Sequence, residues 1–355
     1  MGLFSRKKKE NKIPRGFYTV SIKELRHLTE DAVQVVLDIP GDLKDKFTFI
    51  PGQYLNFSIT LNGEEHRRSY SICSGTGEDL SIGVKAIEKG IISNYFKKDI
   101  KVGDTIMCSR PEGNFKLEDK DRDVVAFAGG SGITPILSIA KKLQQTGGDM
   151  HLVYGNQTED ATMFKSEIDA LSKVATNFYY QNSDSDHPRV GLLDRETIDA
   201  YIKEHIEILK ADAFFLCGPL AMIEGVQEKL AEFGVPKEKI KLELFSAPTP
   251  DAVKPAVSDS EEIDSDVTII LEGESIPIHY TPKGKGILDQ LNSKGYDPPY
   301  SCRGGVCSSC KSKVREGSAK MKLNYSLTDE EVAEGYILCC QAIPTSDKVT
   351  ISFDE

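Results

Sequence analysis

Tyr300-Ser301-Cys302-Arg303-Gly304-Gly305-Val306-Cys307-Ser308-Ser309-Cys310, with Cys340 thirty residues further on, fixes the character of the C-terminal region. C-x4-C-x2-C…C is the spacing of a [2Fe–2S] site, in which four thiolates hold two irons and the cluster accepts one electron at a time. Three ligands come from one wrapping loop, so they sit close in sequence. Gly304 and Gly305 can take positive φ and turn backbone N–H groups toward the sulfides, and Ser308 and Ser309 are small donors. Zinc is an alternative, but zinc ribbons pair two C-x2-C units and only Cys307/Cys310 has that form. Packed core cysteines are another, poorly matched by three Cys in nine loop residues. The fourth ligand is Cys339 or Cys340.

The chain has 355 residues, 39% hydrophobic and 28% charged, enough for two or three globular domains. No apolar run approaches the ~20 residues of a membrane span. Met1-Gly-Leu-Phe-Ser-Arg-Lys-Lys-Lys9 has charges with no apolar core behind them, so no secretory leader is expected. Gly2 lacks the myristoylation pattern, because Ser5 comes one place early. The basic residues 6–9 read as a solvated tail. Eight cysteines, four of them given to iron, fit a reducing cytoplasm. A net charge of −11 argues against nucleic acid as a partner.

Residues 246–265, rich in Pro, Ala, Ser and acidic side chains, read as an extended linker. It sets off a C-terminal domain over 266–355. Residues 1–14 form the basic tail. Over 15–116, short alternating runs predict strands at Tyr18–Leu25, Ala32–Ile39, Gln53–Thr60, His66–Ile72, Leu80–Ala86 and Thr105–Ser109, an antiparallel β-barrel. Over 117–245, apolar strands (Asp123–Ala128, Met150–Tyr154, Asn177–Tyr180, Ala213–Cys217, Lys241–Phe245) alternate with helices (Pro135–Gln145, Ala161–Ser172, Arg195–His205, Pro219–Phe233). That rhythm predicts an α/β domain with a parallel sheet.

Four motifs carry chemistry. Arg68-Ser69-Tyr70-Ser71 ends a predicted barrel strand. Arg68 can pair with a phosphate in fork geometry, Tyr70 offers a flat ring, and Ser71 a hydrogen bond. Gly90-Ile91-Ile92-Ser93 precedes a helix expected at Asn94–Lys98 with Ser93 as N-cap, and free N–H groups there suit a diphosphate. In Ala128-Gly129-Gly130-Ser131-Gly132-Ile133-Thr134-Pro135, glycines admit a pyrophosphate at a helix start. Leu216-Cys217-Gly218-Pro219-Leu220 closes another strand, where open α/β sheets bind ligands.

In this order the motifs resemble the ferredoxin–NADP reductase superfamily over about 15–245, and plant-type ferredoxins over about 265–355. The fold so implied is multidomain: a flavin barrel, an α/β nucleotide domain and an α+β (β-grasp) ferredoxin domain. The arrangement resembles the reductase components of multicomponent oxygenases, nearest those of phenylacetyl-CoA epoxidases, which implies FAD and NADPH. Phthalate-type reductases share the order but use FMN. The resemblance implies flavin contacts by Arg68, Ser69, Tyr70, Ser71, Gly90, Ile92, Ser93 and Phe245. It implies dinucleotide contacts by Gly129, Gly130, Gly132, Thr134, Gly218 and Pro219, and places Ser71, Cys217 and Glu243 at the reacting rings. Gly335-Tyr-Ile-Leu-Cys-Cys-Gln-Ala-Ile-Pro344 resembles a ferredoxin closing segment, which makes Cys340 the fourth ligand after Cys302, Cys307 and Cys310, and Cys339 a packed neighbour. NADPH-using relatives commonly carry Arg after Tyr154-Gly155-Asn156. This chain has Gln157, with Lys165 and Arg189 as substitutes.

Electron counting joins the parts. NAD(P)H gives two electrons as hydride, a [2Fe–2S] cluster takes one, and flavin can do both. The expectation is an NAD(P)H-dependent FAD/[2Fe–2S] reductase serving a redox protein, an oxygenase component foremost. A redox-sensing module is the alternative. A self-contained oxygenase finds no support in six scattered histidines.

Overall fold

The computed structural model describes residues 13–182, 190–245, 263–282 and 284–355. Arg189, nearly all of the expected basic tail and most of the expected linker lie outside the described residues.

The first sheet contains β1 (Phe17–Thr29), β2 (Ala32–Asp38), β3 (Tyr54–Leu61), β4 (Glu64–Ser71), β5 (Ser81–Lys85) and β6 (Thr105–Ser109), with helix α1 (Ile91–Lys98) between β5 and β6. Its strand order is β4-β3-β6-β1-β2-β5, and its pairs are antiparallel. Asn62 and Gly63 take φ of 53° and 82°, the two positive values of a type I′ hairpin, and so fix the β3–β4 register. Alternation then sorts the hairpin. Leu55, Phe57 and Ile59 enter the core with Val35, Ile82 and Phe96. Tyr54, Asn56, Ser58, Arg67, Ser69 and Ser71, in register with one another, make the opposite, polar face. Among the described residues, β5 meets the end of β4 through the isolated bridge Ile72↔Ile82, just past β4, and not through a continuous ladder.

Five parallel strands form the second sheet: β7 (Asp123–Gly129), β8 (Asp149–Asn156), β9 (Val174–Tyr180), β10 (Ala213–Cys217) and β11 (Ile240–Glu243). The order β11-β10-β7-β8-β9 reverses between β7 and β10, which opens a crevice at their C-terminal ends. Val124, Ala126 and Ala128 pack on one face, Val125 and Phe127 on the other, as both-sided burial requires. The helices are α2 (Ile133–Thr146), α3 (Lys165–Asp169), α4 (Arg195–Glu204) and α5 (Leu220–Glu232).

The helix expected over Ala161–Ser172 shrinks to the five residues of α3, because Phe164 adopts φ of 58° and buries with Met163 in the core below the sheet. A left-handed residue cannot lie inside an α-helix. The last strand ends at Glu243, leaving Leu244 and Phe245 beyond the ladder.

The third unit holds β12 (Ser265–Leu271), β13 (Glu274–Tyr280), α6 (Ile287–Ser293), β14 (Lys311–Glu316), β15 (Ala319–Met321), α7 (Asp329–Ala333), β16 (Tyr336–Leu338), β17 (Ala342–Pro344) and β18 (Lys348–Ser352). Its main sheet runs β13-β12-β18-β14-β16, with β12 parallel to β18. Ser265, expected in the linker, already belongs to β12. Ile287 and Leu291 of α6 close the core against Ile269, Ile278 and Ile351. This unit covers the polar face of the β3–β4 hairpin, and its Val306 enters a core cluster of the parallel sheet. Among the described residues no helix is long and apolar enough to cross a membrane.

Candidate functional site

The cysteine loop gathers its sulfurs in two pairs. Cys307 Sγ stands 3.1 Å from Cys302 Sγ, and Cys310 pairs with Cys340. The Cys307 thiol, with the backbone N–H groups of Gly304, Val306 and Cys307, holds Cys302 down to about 6, against the cost of burial. Cys310 likewise draws Cys340 below its ordinary value. Cys339 turns away: it is buried in the core, its thiol pushed up by burial, while its N–H donates to Cys310 O. Among the described residues no three His, Cys, Asp or Glu side chains gather around a single ion position. Paired sulfurs with backbone donors aimed at them fit two irons sharing four thiolates better than one tetrahedral zinc.

A cavity of about 620 Å³ opens beside this loop. Arg68, Ser69 and Ser71 of β4 line it, Glu243 and Phe245 lie at a second wall, and Cys302 and Cys307 at a third. The cavity runs along β4 because β4 is an edge strand, with no neighbour in the ladder on that side. Ser71 Oγ donates to Glu243 Oε2 at 2.8 Å, and burial pushes the Glu243 carboxyl up to about 8. Cys217 sits beside Glu243 in the β10–β11 register, fully buried, its thiol raised well above the ordinary range by burial and then by that carboxyl. Tyr70 does not line this cavity. Its ring meets the edges of Phe96 and Phe57 at 5.4 and 5.9 Å. Arg68 is exposed, with Nη1 donating to Arg67 O.

Helix α1 starts three residues before the expected Asn94. Gly90 is the N-cap, and Ser93 lies inside the first turn, its Oγ accepting from Ile87 N–H at 3.3 Å. The cap position passes to Gly90 because Ser93 is packed back on residue 87, leaving the helix start without a side-chain cap. Uncapped N–H groups suit an anion.

The nucleotide loops pack on each other. A Cβ on Gly132 would lie 2.0 Å from Cys217 O, one on Gly129 2.5 Å from Pro219 Cδ, and one on Gly218 2.8 Å from Gly129 N. Of Gly129, Gly130, Gly132 and Gly218 only Gly130 has a left-handed φ, 52°, and it faces open space. Thr134 Oγ1 donates to Ser131 O, and no side chain caps the turn from Gly130 into α2. Asn156 at the tip of β8 was missed from sequence. It is 9% exposed, its side chain meets the Tyr154 hydroxyl, and its Oδ1 and Nδ2 make no well-aligned hydrogen bond. Its signal was positional, a polar side chain closing an apolar strand at the crevice. Gln157 lines a second cavity, of about 470 Å³, with Lys97, Lys98, Glu30, Asp31 and Asp160. Lys165 is engaged by Asp169 and Glu159 over the Phe178 ring.

Three family models match in sequence order: an oxidoreductase FAD-binding domain over 19–117, an oxidoreductase NAD-binding domain over 127–228, and a 2Fe-2S iron-sulfur cluster binding domain over 269–345. The chain is 34% identical over 354 residues to one of the subunits of 1,2-phenylacetyl-CoA epoxidase from Escherichia coli (strain K12), covering 95% of this chain and 98% of that one. It is 32% identical over 356 residues to the ferredoxin reductase component of 3-ketosteroid-9-alpha-monooxygenase from Rhodococcus rhodochrous, covering 96% and 99%. Among solved structures, phthalate dioxygenase reductase shares the fold with a TM-score of 0.59 at 24% identity, over 95% of this chain and 98% of that one. The chain belongs to the oxidoreductase family in which FAD- and NAD-binding reductase domains are joined to a [2Fe–2S] ferredoxin domain, related to the reductase components of oxygenases.

Proposed function

We propose that this reductase draws electrons from NAD(P)H, with NADPH modestly preferred, and delivers them singly to an oxygenase component or another redox protein. When bound, the nicotinamide supplies hydride, the flavin splits the electron pair and the cluster takes one electron at a time. One observation carries the reading: a single cavity is walled by the β4 motif, by the Ser71–Glu243 pair and by Cys302 and Cys307. Residues of the flavin motif, the nucleotide domain and the cysteine loop would thus hold one group in common.

The residues then divide the work. Cys302 with Cys307, and Cys310 with Cys340, hold the irons. Arg68 and the uncapped start of α1, from Gly90 through Ile92 and Ser93, hold flavin phosphates. Ser69 and Ser71 would line the ring edge and Phe245 would cover it, while Tyr70, off the cavity wall, would meet the ring only by turning out of its packing on Phe96 and Phe57. Gly130 and Thr134 receive the dinucleotide phosphates, while Gly129, Gly132, Gly218 and Pro219 keep the two loops close. Asn156, whose buried amide has only a poorly aligned contact with the Tyr154 hydroxyl, would offer it to the same ligand, since a buried polar group without a good partner costs about 1–3 kcal/mol. Glu243, protonated at neutral pH, would keep a neutral carboxyl beside Ser71 and Cys217 where the nicotinamide would be received.

The nucleotide preference rests on mixed charge. Gln157 brings no cation, but Lys97 and Lys98 share its cavity, along with carboxylates that hold ribose hydroxyls and oppose a 2′-phosphate. Both nucleotides should therefore be used. Gln157→Arg should raise kcat/KM for NADPH about tenfold and leave NADH nearly unchanged; a wild type over a hundredfold selective for NADH overturns the preference. The function is tested by NAD(P)H-dependent reduction of cytochrome c. A protein without flavin, or one whose cytochrome c reduction survives loss of iron, overturns it.

A further inference from the structure

The polar face of the β3–β4 hairpin is covered by the ferredoxin unit through a chain of specific contacts. Arg67 is the centre. Its side chain is only 2% exposed, and burial of a guanidinium demands partners. Glu65 of its own strand accepts at 2.8 Å, and Asp297 of the ferredoxin unit at 2.5 Å. The guanidinium lies 4.3 Å from the centre of the Tyr300 ring and 5.3 Å from that of Phe17. Asp297 and Tyr300 stand just ahead of Cys302 in the chain. Further along the same face, Ser69 Oγ and Ser301 Oγ are 2.9 Å apart, and Ser308 N–H donates to the Tyr54 hydroxyl at 3.2 Å. Four contacts on one hairpin thus grip the cysteine loop at residues 297, 300, 301 and 308.

We propose that Arg67, which lines the cavity, acts through Asp297 as a positioning residue that docks the cysteine loop against the flavin cavity and so sets the rate of electron passage to the cluster. The inference rests on the proposed function, because it needs a flavin in that cavity. In the step concerned, reduced flavin loses one electron and the oxidised cluster gains it; an external acceptor such as cytochrome c takes it on from the cluster, whereas ferricyanide draws electrons from the flavin directly. The contacts along this face are polar, so charge and hydrogen bonding keep its register. Asp297 is 43% exposed, which leaves its pairing open to salt. Replacing Asp297 leaves Arg67 its Glu65 partner, so the hairpin itself is preserved.

The test uses the full-length holoprotein with Asp297→Asn and Asp297→Lys. Rapid mixing with NAD(P)H follows flavin bleaching and cluster reduction separately. Cluster reduction should slow progressively from wild type through Asn to Lys, by about tenfold or more in the last, and wild type should slow with added salt. Flavin reduction and ferricyanide activity should not change. Amide hydrogen exchange supplies a readout independent of activity: peptides spanning 296–302 and 64–71 should lose protection in Asp297→Lys, while the cluster's electron paramagnetic resonance signal stays unaltered. Unchanged cluster reduction in Asp297→Lys overturns the docking role, as does slowing that comes with a lost or altered cluster signal. Absent flavin reduction in the wild type would instead remove the proposed function.

Discussion

The Ser71 hydroxyl donates to Glu243 Oε2 at 2.8 Å, joining strands 172 residues apart at the mouth of the cavity. The bond places a buried carboxyl, raised to about 8, at the meeting of the flavin motif and the nucleotide sheet. Glu243 is therefore protonated at pH 7 and ionises as pH rises through about 8. On the proposed function, a new negative charge there would disfavour NAD(P)H binding and flavin reduction. NAD(P)H:ferricyanide activity in wild type should fall above pH 8, whereas Glu243→Gln should give a flatter profile between pH 6 and 10. Superimposable pH profiles would remove the role of this carboxyl.

The paired sulfurs give a sharp contrast between adjacent cysteines. Cys340→Ser should lose the cluster and its visible absorbance while keeping flavin and ferricyanide activity. Cys339→Ser replaces a core thiol that does not join the pairs, so it should keep both. Iron content near two per chain in wild type and Cys339→Ser, with loss in Cys340→Ser, is the expected result. The reverse pattern would move the ligand to Cys339.

Glu112 links pH to stability. Burial raises its carboxyl to about 7, even though Asn56 Nδ2 donates to it at 2.9 Å and Arg110 lies near. A folded value above the unfolded one means the native state holds more protons between them. The stability present below about pH 4.5 is lost as pH rises, with the loss complete above about 7. The gap corresponds to on the order of 3 kcal/mol. Glu112→Gln, neutral and isosteric, should melt closer to wild type at pH 5 and higher than wild type at pH 8. Equal pH dependence of melting in the two proteins would contradict the burial argument.

What the sequence revealed was short-range. The cysteine loop was legible because its spacing is the wrapping geometry of the site, and the strands around Arg68 and Gly129 because alternation and apolar runs record burial directly. The helix start at Gly90 was not legible: Ser93 is a good cap by residue type, and only its contact with residue 87 spends that hydroxyl elsewhere. Phe164 carried no mark of its left-handed backbone, so the helix expected around it ran too long. The contacts that dock the ferredoxin unit, Arg67 with Asp297 and Tyr54 with Ser308, span 230 and 254 residues. No local pattern encodes such pairs. A buried arginine beside a flavin motif was the only hint, and sequence alone does not reveal that it is buried.

The glycines of the nucleotide loop separate two reasons for having no side chain. Gly130 has φ of 52° and open space where a Cβ would stand, so alanine there costs only the left-handed backbone, about 1–2 kcal/mol. Gly132 has an ordinary φ of −60°, but its Cβ would fall 2.0 Å from the Cys217 carbonyl oxygen and 2.4 Å from its carbon. That carbonyl ends a central strand held by β7 on one side and β11 on the other, so it cannot withdraw. Gly132→Ala should therefore cost on the order of 4 kcal/mol or more, among the largest effects of a single substitution. Thermal melting of the holoproteins checks the pair. Gly130→Ala should melt within several degrees of wild type and show its effect chiefly as a raised KM for the nucleotide, because a methyl group would enter the open space proposed for the nucleotide phosphates. Gly132→Ala should melt about 8–16 degrees lower (about 2–4 °C per kcal/mol at this domain size) or fail to accumulate. Equal melting temperatures for the two variants would mean that the β7 and β10 loops do not touch as described, and that Gly132, like Gly130, serves only the ligand.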